Sequence, residues 1–273
     1  MSVVQSETEA IDWYEGQERF LTKQYIDTIP WNDVGRHPFD EAFLPVLVYM
    51  RDVEKFTEIY YQELMKTPTG NDPIIRRFMD KWATEEAVHG DLLNRFLEEA
   101  NYPTDEKWFE KAKARIPKFQ RVSSAFSTAT ARLTGKHFSA VHMTWGAINE
   151  FSTLTGYRTL WEKANHPVLT YLLKAIAREE AVHSFFYWTI ARLKLQTSQF
   201  RQRMTRYIIQ KFWTPVGQGL KREHETNYVI RALFSGEEGV AVMRDFVNSK
   251  VEQLPGLEGI HTVTERIRKV VLT

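Results

Sequence analysis

The chain contains no cysteine. Disulfides, thiolate zinc sites, iron–sulfur clusters and a cysteine nucleophile are therefore excluded, and any metal chemistry must use oxygen and imidazole. Glycine and proline are sparse, at 13 and 10 of 273 residues, which is few for the turns of a strand-rich chain of this length. Long apolar runs are missing too: no stretch approaches the roughly eighteen residues of a membrane span. The first thirty residues carry neither a basic stretch nor the apolar core of a secretory signal. These absences predict a soluble, cytoplasmic protein with no membrane span. Excess charge is also lacking, since 36 Lys and Arg meet 35 Asp and Glu for a net +1. No global field selects nucleic acid, and a charge-driven partner must use a local patch.

What is present is ample apolar content, 43% hydrophobic with 13% aromatic, recurring at intervals of three and four. The expected fold class is all-α. A first long helix is predicted from Phe39 to about Lys66, spanning roughly 40 Å, with Phe43, Leu47, Met50, Glu54 and Tyr61 near one stripe. A second enters through Asn71-Asp72-Pro73, an N-cap followed by proline at the first helical position, and runs to about Ala100. Shorter helices are expected between Thr104 and Lys136. His137–Ala164 reads as the third long helix, and the fourth enters through Asn165-His166-Pro167 and continues to about Gln196. Amphipathic segments follow. With no low-complexity linker, residues 1–273 read as one domain: a four-helix ligand bundle over about 39–197 and additional peripheral helices over 198–273.

An internal repeat sharpens this reading. Glu-Glu-Ala-Val-His occurs at 85–89 and again at 179–183, and in each case a proline lies thirteen residues before the second glutamate. The two halves are expected to be related by a pseudo-twofold axis. Residues three apart share a helix face, so Glu86 with His89, and Glu180 with His183, each offer one oxygen and one nitrogen to a common point. Glu258 and His261 have the same spacing, but Pro255, Gly256 and Gly259 place them in a loop and argue against a ligand pair. A two-metal carboxylate site also needs one inward glutamate from each remaining helix. Glu150 supplies one, 30 residues before Glu180; Glu54 supplies the other, 32 before Glu86, with Glu58 a competitor one turn further on. Four carboxylates and two imidazoles suit iron or manganese.

The chain resembles the soluble acyl-[acyl carrier protein] desaturases, which are ferritin-like di-iron enzymes and usually homodimers. The likeness runs through roughly residues 40–190. It is carried by Trp82-Ala-Thr-Glu-Glu-Ala-Val-His-Gly-Asp-Leu-Leu-Asn94, by VLVYMRDVEKF, which puts Glu54 rather than Glu58 at the ligand position, by Asn149-Glu150-Phe-Ser-Thr153, and by Arg178-Glu-Glu180-Ala-Val-His183. The resemblance implies metal ligands Glu54, Glu86, His89, Glu150, Glu180 and His183. It also implies that Glu85 and Glu179 orient the opposite histidine, that Thr153 delivers protons, and that Trp31 lies on an electron route. Two iron ions with dioxygen as co-substrate, an acyl carrier protein or other carrier-bound substrate, a ferredoxin-type donor and a homodimer belong to the same expectation. The chain departs from the family at Val88 and Val182, where the family carries arginine before each histidine.

The expected activity is removal of hydrogen from an unactivated C–H bond, most directly desaturation of a fatty acyl chain. Alternatives are a di-iron hydroxylase or N-oxygenase, or a non-catalytic ferritin-like iron-binding protein. Met143, Trp145, Phe151 and Phe185 are candidates to line an apolar substrate slot. The basic run Lys111, Lys113, Arg115, Lys118, Arg121 is a candidate patch for an acidic carrier or ferredoxin.

Overall fold

The computed structural model describes residues 4–117, 131 and 135–273. The described helices are α1 (Glu7–Glu15), α2 (Lys23–Thr28), α3 (Leu44–Leu64), α4 (Pro73–Glu99), α5 (Trp108–Ala114), α6 (Phe138–Ala164), α7 (Pro167–Gln196), α8 (Gln199–Phe212), α9 (Glu223–Leu233), α10 (Gly236–Met243), α11 (Ser249–Glu252) and α12 (Thr262–Val271). A π turn, Arg244–Asn248, joins α10 to α11. Among the described residues there is no strand, only an isolated bridge between Gln218 and Lys221. No helix is long and apolar enough to cross a membrane.

Local chemistry sets the ends of the long helices. Asp72 Oδ1 accepts from Ile74 N (3.1 Å) and Ile75 N (3.2 Å), and Pro73 follows where its missing N–H leaves nothing unpaired. Asn165 takes a left-handed conformation (φ 46°) that ends α6. His166 then starts α7, its Nδ1 accepting from Leu169 N (3.2 Å) while Nε2 meets Val34 O (3.1 Å). The first long helix is shorter than its sequence pattern predicts. It begins at Leu44 after a 3-10 turn over Glu41–Phe43, because Pro45 sits in its first turn and fixes the start there.

Side-chain pairs show that α3 and α4 run antiparallel: Arg51 reaches Asn94 (3.0 Å), Lys55 reaches Asp91 (2.6 Å) and Tyr61 reaches Asp80 (2.5 Å). α6 pairs with α7, close enough at Gly146 that a Cβ there would collide with the Tyr187 ring. Helix α1 lies across α4 and α7. Its Tyr14 packs edge-on to Phe78, which stacks on Phe186 with ring centroids 4.1 Å apart. All three are fully buried, each contributing on the order of 2 kcal/mol through the apolar surface it removes from water. α8 to α11 pack on α6, α9 also packs on α3, and α12 packs on α9, α10 and the π turn.

Candidate metal centre

Each long helix turns one carboxylate into the shared interior. Glu54 (α3), Glu86 and His89 (α4), Glu150 (α6), and Glu180 and His183 (α7) are all buried. Their donor atoms form two overlapping groups, Glu54-Glu86-His89-Glu180 and Glu86-Glu150-Glu180-His183, within each of which the atoms lie within 4.8 Å of one another. Glu86 and Glu180 belong to both groups, so either group could draw on them if it held a metal, together with Glu54 and His89 in one and Glu150 and His183 in the other. Glu58, one turn from Glu54, is exposed. The loop pair fails as the sequence predicts: His261 is exposed and bonds Glu252 (3.1 Å), not Glu258.

The histidines cross between halves. His89 Nε2 meets Glu179 Oε2 at 3.0 Å, and His183 Nε2 meets Glu85 Oε2 at 2.8 Å. Each outer carboxylate therefore fixes the ring of the opposite repeat and leaves Nδ1 facing the cluster. The N-terminal segment anchors both. Glu85 accepts from Tyr14 Oη (2.7 Å) and from Arg19 Nε, while Glu179 accepts from Leu21 N (2.9 Å). The guanidinium at Glu85 thus comes from Arg19, and Val88 and Val182 pack against the core. Among the ligand carboxylates, Glu54 accepts from Tyr157 Oη and Glu150 from Trp82 Nε1 (3.0 Å).

A metal ion fits this donor set. Glu86 Oε1, both Glu180 oxygens and the Nδ1 atoms of His89 and His183 are buried without an aligned hydrogen bond, although His183 Nδ1 lies 2.9 Å from Glu86 Oε1 and His89 Nδ1 3.1 Å from Glu180 Oε1; such a crowd of inward donor atoms is an expensive arrangement unless a cation satisfies them. Four carboxylates in one buried space also concentrate negative charge. Burial, then repulsion from Glu180 and Glu54, pushes the Glu86 carboxyl well above the usual range, and Glu150 is raised by burial and by Glu86 and Glu180. Burial would strip His183 of its proton, but the neighbouring carboxylates of Glu180 and Glu85 overcome that and raise it to about 9; His89 is raised in the same way by Glu179, Glu180 and Glu54. The cluster draws positive charge to itself, a demand that a metal ion could answer.

One cavity of about 80 Å³ borders the centre. Glu54, Met50, Thr153 and Gly156 form its inner wall, and Trp213 and Leu233 are part of the wall supplied by the C-terminal region. The sequence candidates Met143, Trp145, Phe151 and Phe185 do not line it. Met143 is sealed in the core, and Phe185 packs on Trp13 with centroids 4.2 Å apart. Thr153 is half-buried beside Glu54; its neighbour Ser152 bonds back to Ile148 O (2.7 Å), whereas no hydrogen bond occupies the Thr153 hydroxyl among the described residues. Trp31 is buried, donates to Ile26 O (3.1 Å) and lies under the Arg95 guanidinium, so its hydrogen bond goes to the backbone and not to a ligand.

The site contacts of Tyr157, Trp82, Tyr14 and Arg19 escaped the sequence reading. The first two carried a signal, lying seven residues after Glu150 and four before Glu86 and hence on the ligand faces. Tyr14 and Arg19 carried none. Of the basic run, Lys111 pairs with Asp105 and Lys113 with Glu110 (2.7 Å), Arg115 is exposed, and Lys118 and Arg121 lie outside the described residues. No family model matches the chain, and no curated protein matches it.

Proposed function

We propose that the protein is a di-iron oxidoreductase that uses dioxygen to attack an unactivated C–H bond, most directly desaturating a fatty acyl chain presented by acyl carrier protein, as its likeness to the soluble desaturases implies. The observation that carries this reading is the apolar cavity touching Glu54 beside a four-carboxylate, two-imidazole cluster. A site for iron storage alone has no use for such a cavity.

Glu54, Glu86, His89, Glu150, Glu180 and His183 would hold the metals, and the bound pair would supply the dioxygen-dependent oxidation that no side chain can perform. The residues do the rest. Glu85 and Glu179 hold the imidazole rings with Nδ1 inward. Met50, Gly156 and Trp213 keep the substrate side dry, which strengthens electrostatic interactions at the ligands. Thr153, on the same wall as Glu54, offers a hydroxyl positioned to pass a proton between cavity and ligand cage. A ferredoxin-type donor, a carrier-bound substrate and a homodimer complete the proposal.

The test is metal content per chain after anaerobic iron loading, followed by exposure of the reduced protein to oxygen with a long-chain acyl carrier and mass analysis of the released acyl group. The expected result is about two irons per chain, lost in Glu86→Ala and Glu180→Ala, with a product lighter by two hydrogens. A product heavier by one oxygen would make the enzyme a hydroxylase. Less than one metal per chain at saturating iron would overturn the assignment, and tight binding of manganese alone would overturn the choice of iron.

A further inference from the structure

Charge is nearly balanced over the whole chain but not along it. Between Glu180 and Glu223 there is no aspartate or glutamate, while Arg192, Lys194, Arg201, Arg203, Arg206, Lys211, Lys221 and Arg222 all fall inside that interval. Two of these are neutralised internally, Lys194 by Glu7 and Asp72 and Lys221 by Asp52 and Glu225. The four on α8 are not. Arg201 turns to His137 Nδ1 (3.3 Å) and Lys194 O (3.2 Å), Arg206 to the carbonyls of Gly256 and Glu258, and neither Arg203 nor Lys211 has a carboxylate partner among the described residues.

The same helix carries the three most exposed large apolar side chains among the described residues: Phe200 at 61%, Phe212 at 60% and Tyr207 at 58%. Phe200, Arg203, Tyr207 and Lys211 recur at intervals of three and four and so form one stripe, opposite buried Thr205 and Ile209. Rings and cations are therefore interleaved on the exposed face, where Phe200 also meets the His137 ring edge-on at 5.3 Å; Phe212, the last residue of the helix, lies outside the stripe with its ring 6.3 Å from Tyr207.

We propose that α8 docks the protein on an anionic phospholipid surface, its aromatic side chains entering the boundary between headgroups and acyl chains while Arg203 and Lys211 extend to the phosphates. An acidic protein would satisfy the cations, but three rings near 60% exposure would then need matching pockets. A bilayer supplies both a phosphate layer and apolar depth beneath it along the whole helix. Position agrees with this occupant. The residue after Phe212 is Trp213, which with Pro215 and Val216 walls the cavity that ends at Glu54. A docked α8 would set the fully buried Trp213, and with it one wall of the cavity, just beneath the lipid-facing helix. Docking itself requires no metal; only the use of the cavity rests on the proposed function.

The experiment is cosedimentation of the full-length, iron-loaded protein with vesicles of phosphatidylcholine alone and of phosphatidylcholine with about a third phosphatidylglycerol. Binding is expected to the anionic vesicles only and to weaken as salt rises. Arg203→Glu with Lys211→Glu should lower partitioning at least roughly twentyfold, since each cation near the surface contributes about fivefold. Phe200→Ser with Tyr207→Ser should lower it by roughly tenfold. Circular dichroism, thermal midpoint and iron content should stay at parental values in both variants, because these side chains face outward. Three results would overturn the proposal: no preference for anionic vesicles, partitioning unchanged in the charge-reversed variant, or wild-type self-association that the Phe200→Ser/Tyr207→Ser variant abolishes. Capture of an acidic carrier protein by this face without vesicle binding would also overturn it.

Discussion

Glu54 and Glu150 occupy matching places in the two helix pairs, yet their surroundings differ. Glu54 accepts from Tyr157 and borders the cavity, whereas Glu150 accepts from Trp82 and is backed by rings. Tyr60 and Tyr187 pack against Trp82 with centroids 6.2 and 6.1 Å away, and His142 lies 6.0 Å from each of those tyrosines. The repeated pentapeptide makes a symmetric ligand cage, and the non-repeated residues around it leave one end open and close the other. Under the proposed function, chemistry on a bound molecule would belong at the Glu54 end.

The most severe test of that asymmetry fills the open end. A Cβ on Gly156 would lie 3.3 Å from Met50 Cε and 3.7 Å from Leu233 Cδ1, so Gly156→Leu projects into the cavity that Glu54 borders. Turnover of a long-chain acyl substrate should fall about a hundredfold or more, the loss expected when a substrate is displaced from its reacting position, with iron content unchanged. Turnover retained with iron bound would place the substrate elsewhere, and the comparison of the two ends would lose its functional meaning.

Next in size are Glu85→Gln and Glu179→Gln. Each removes the charge that holds the opposite histidine, and metal affinity should drop about 10- to 100-fold in either variant by competition titration. The two carboxylates differ in what anchors them. Hydrogen bonds with His183, Arg19 and Tyr14 outweigh burial and hold the Glu85 carboxyl down to about 2, so Glu85→Gln also strands a partly buried guanidinium. Glu179 loses only its contacts to His89 and the Leu21 amide. A larger fall in thermal midpoint for Glu85→Gln is expected; equal falls would show that Arg19 contributes nothing.

These experiments probe features of unequal visibility in the sequence. The ends of α4 and α7 were legible because Asp72-Pro73 and His166-Pro167 act through local hydrogen bonds and a fixed φ. The clustering of the candidate ligands was legible because a helix converts spacing into a face, and the repeat supplied its own control. Periodicity left Glu54 and Glu58 open; the resemblance to the desaturases chose Glu54, and the exposure of Glu58 agrees. The cavity was not legible. Its walls combine α3 and α6 with residues from the C-terminal helices, and periodicity reports which side of a helix is buried, not which neighbour fills that side. Met143, Trp145, Phe151 and Phe185 were reasonable aromatic and apolar candidates on that basis and still point elsewhere. Tyr14 and Arg19 reach Glu85 across more than sixty residues of chain, a distance over which sequence spacing carries no geometric information.

The closed end has a pH signature. His142 is buried with both ring nitrogens unpartnered, and burial pulls it down to about 3. In the unfolded chain a histidine takes a proton near 6.5. The unfolded state therefore binds more protons between those values, and stability falls as pH drops, by up to about 1.4 kcal/mol per unit from this group. His89 and His183, whose protons are held more tightly in the fold, contribute with the opposite sign, losing stability as pH rises. His142→Phe removes only the first slope. In metal-free protein the variant should lose about 2 kcal/mol less than the parent between pH 7 and 5 by urea titration. Parallel loss would mean that His142 is reached by water or a partner and that the aromatic end is not sealed.

The smallest effect compares the two donors directly. Tyr157→Phe and Trp82→Phe each delete one hydrogen bond to a terminal carboxylate, Glu54 or Glu150, and each should weaken metal binding only several-fold, since a hydrogen bond to a charged group contributes about 1.5–3 kcal/mol and the ion itself replaces part of it. Their consequences for catalysis should diverge. Tyr157 orients the carboxylate that borders the cavity, so its loss should reduce turnover of bound substrate more than affinity for iron. Trp82 orients a carboxylate walled from the cavity, so affinity and turnover should decline together. If the two variants behave alike in both measurements, the ends of the centre are equivalent during turnover and the closed aromatic wall is packing alone.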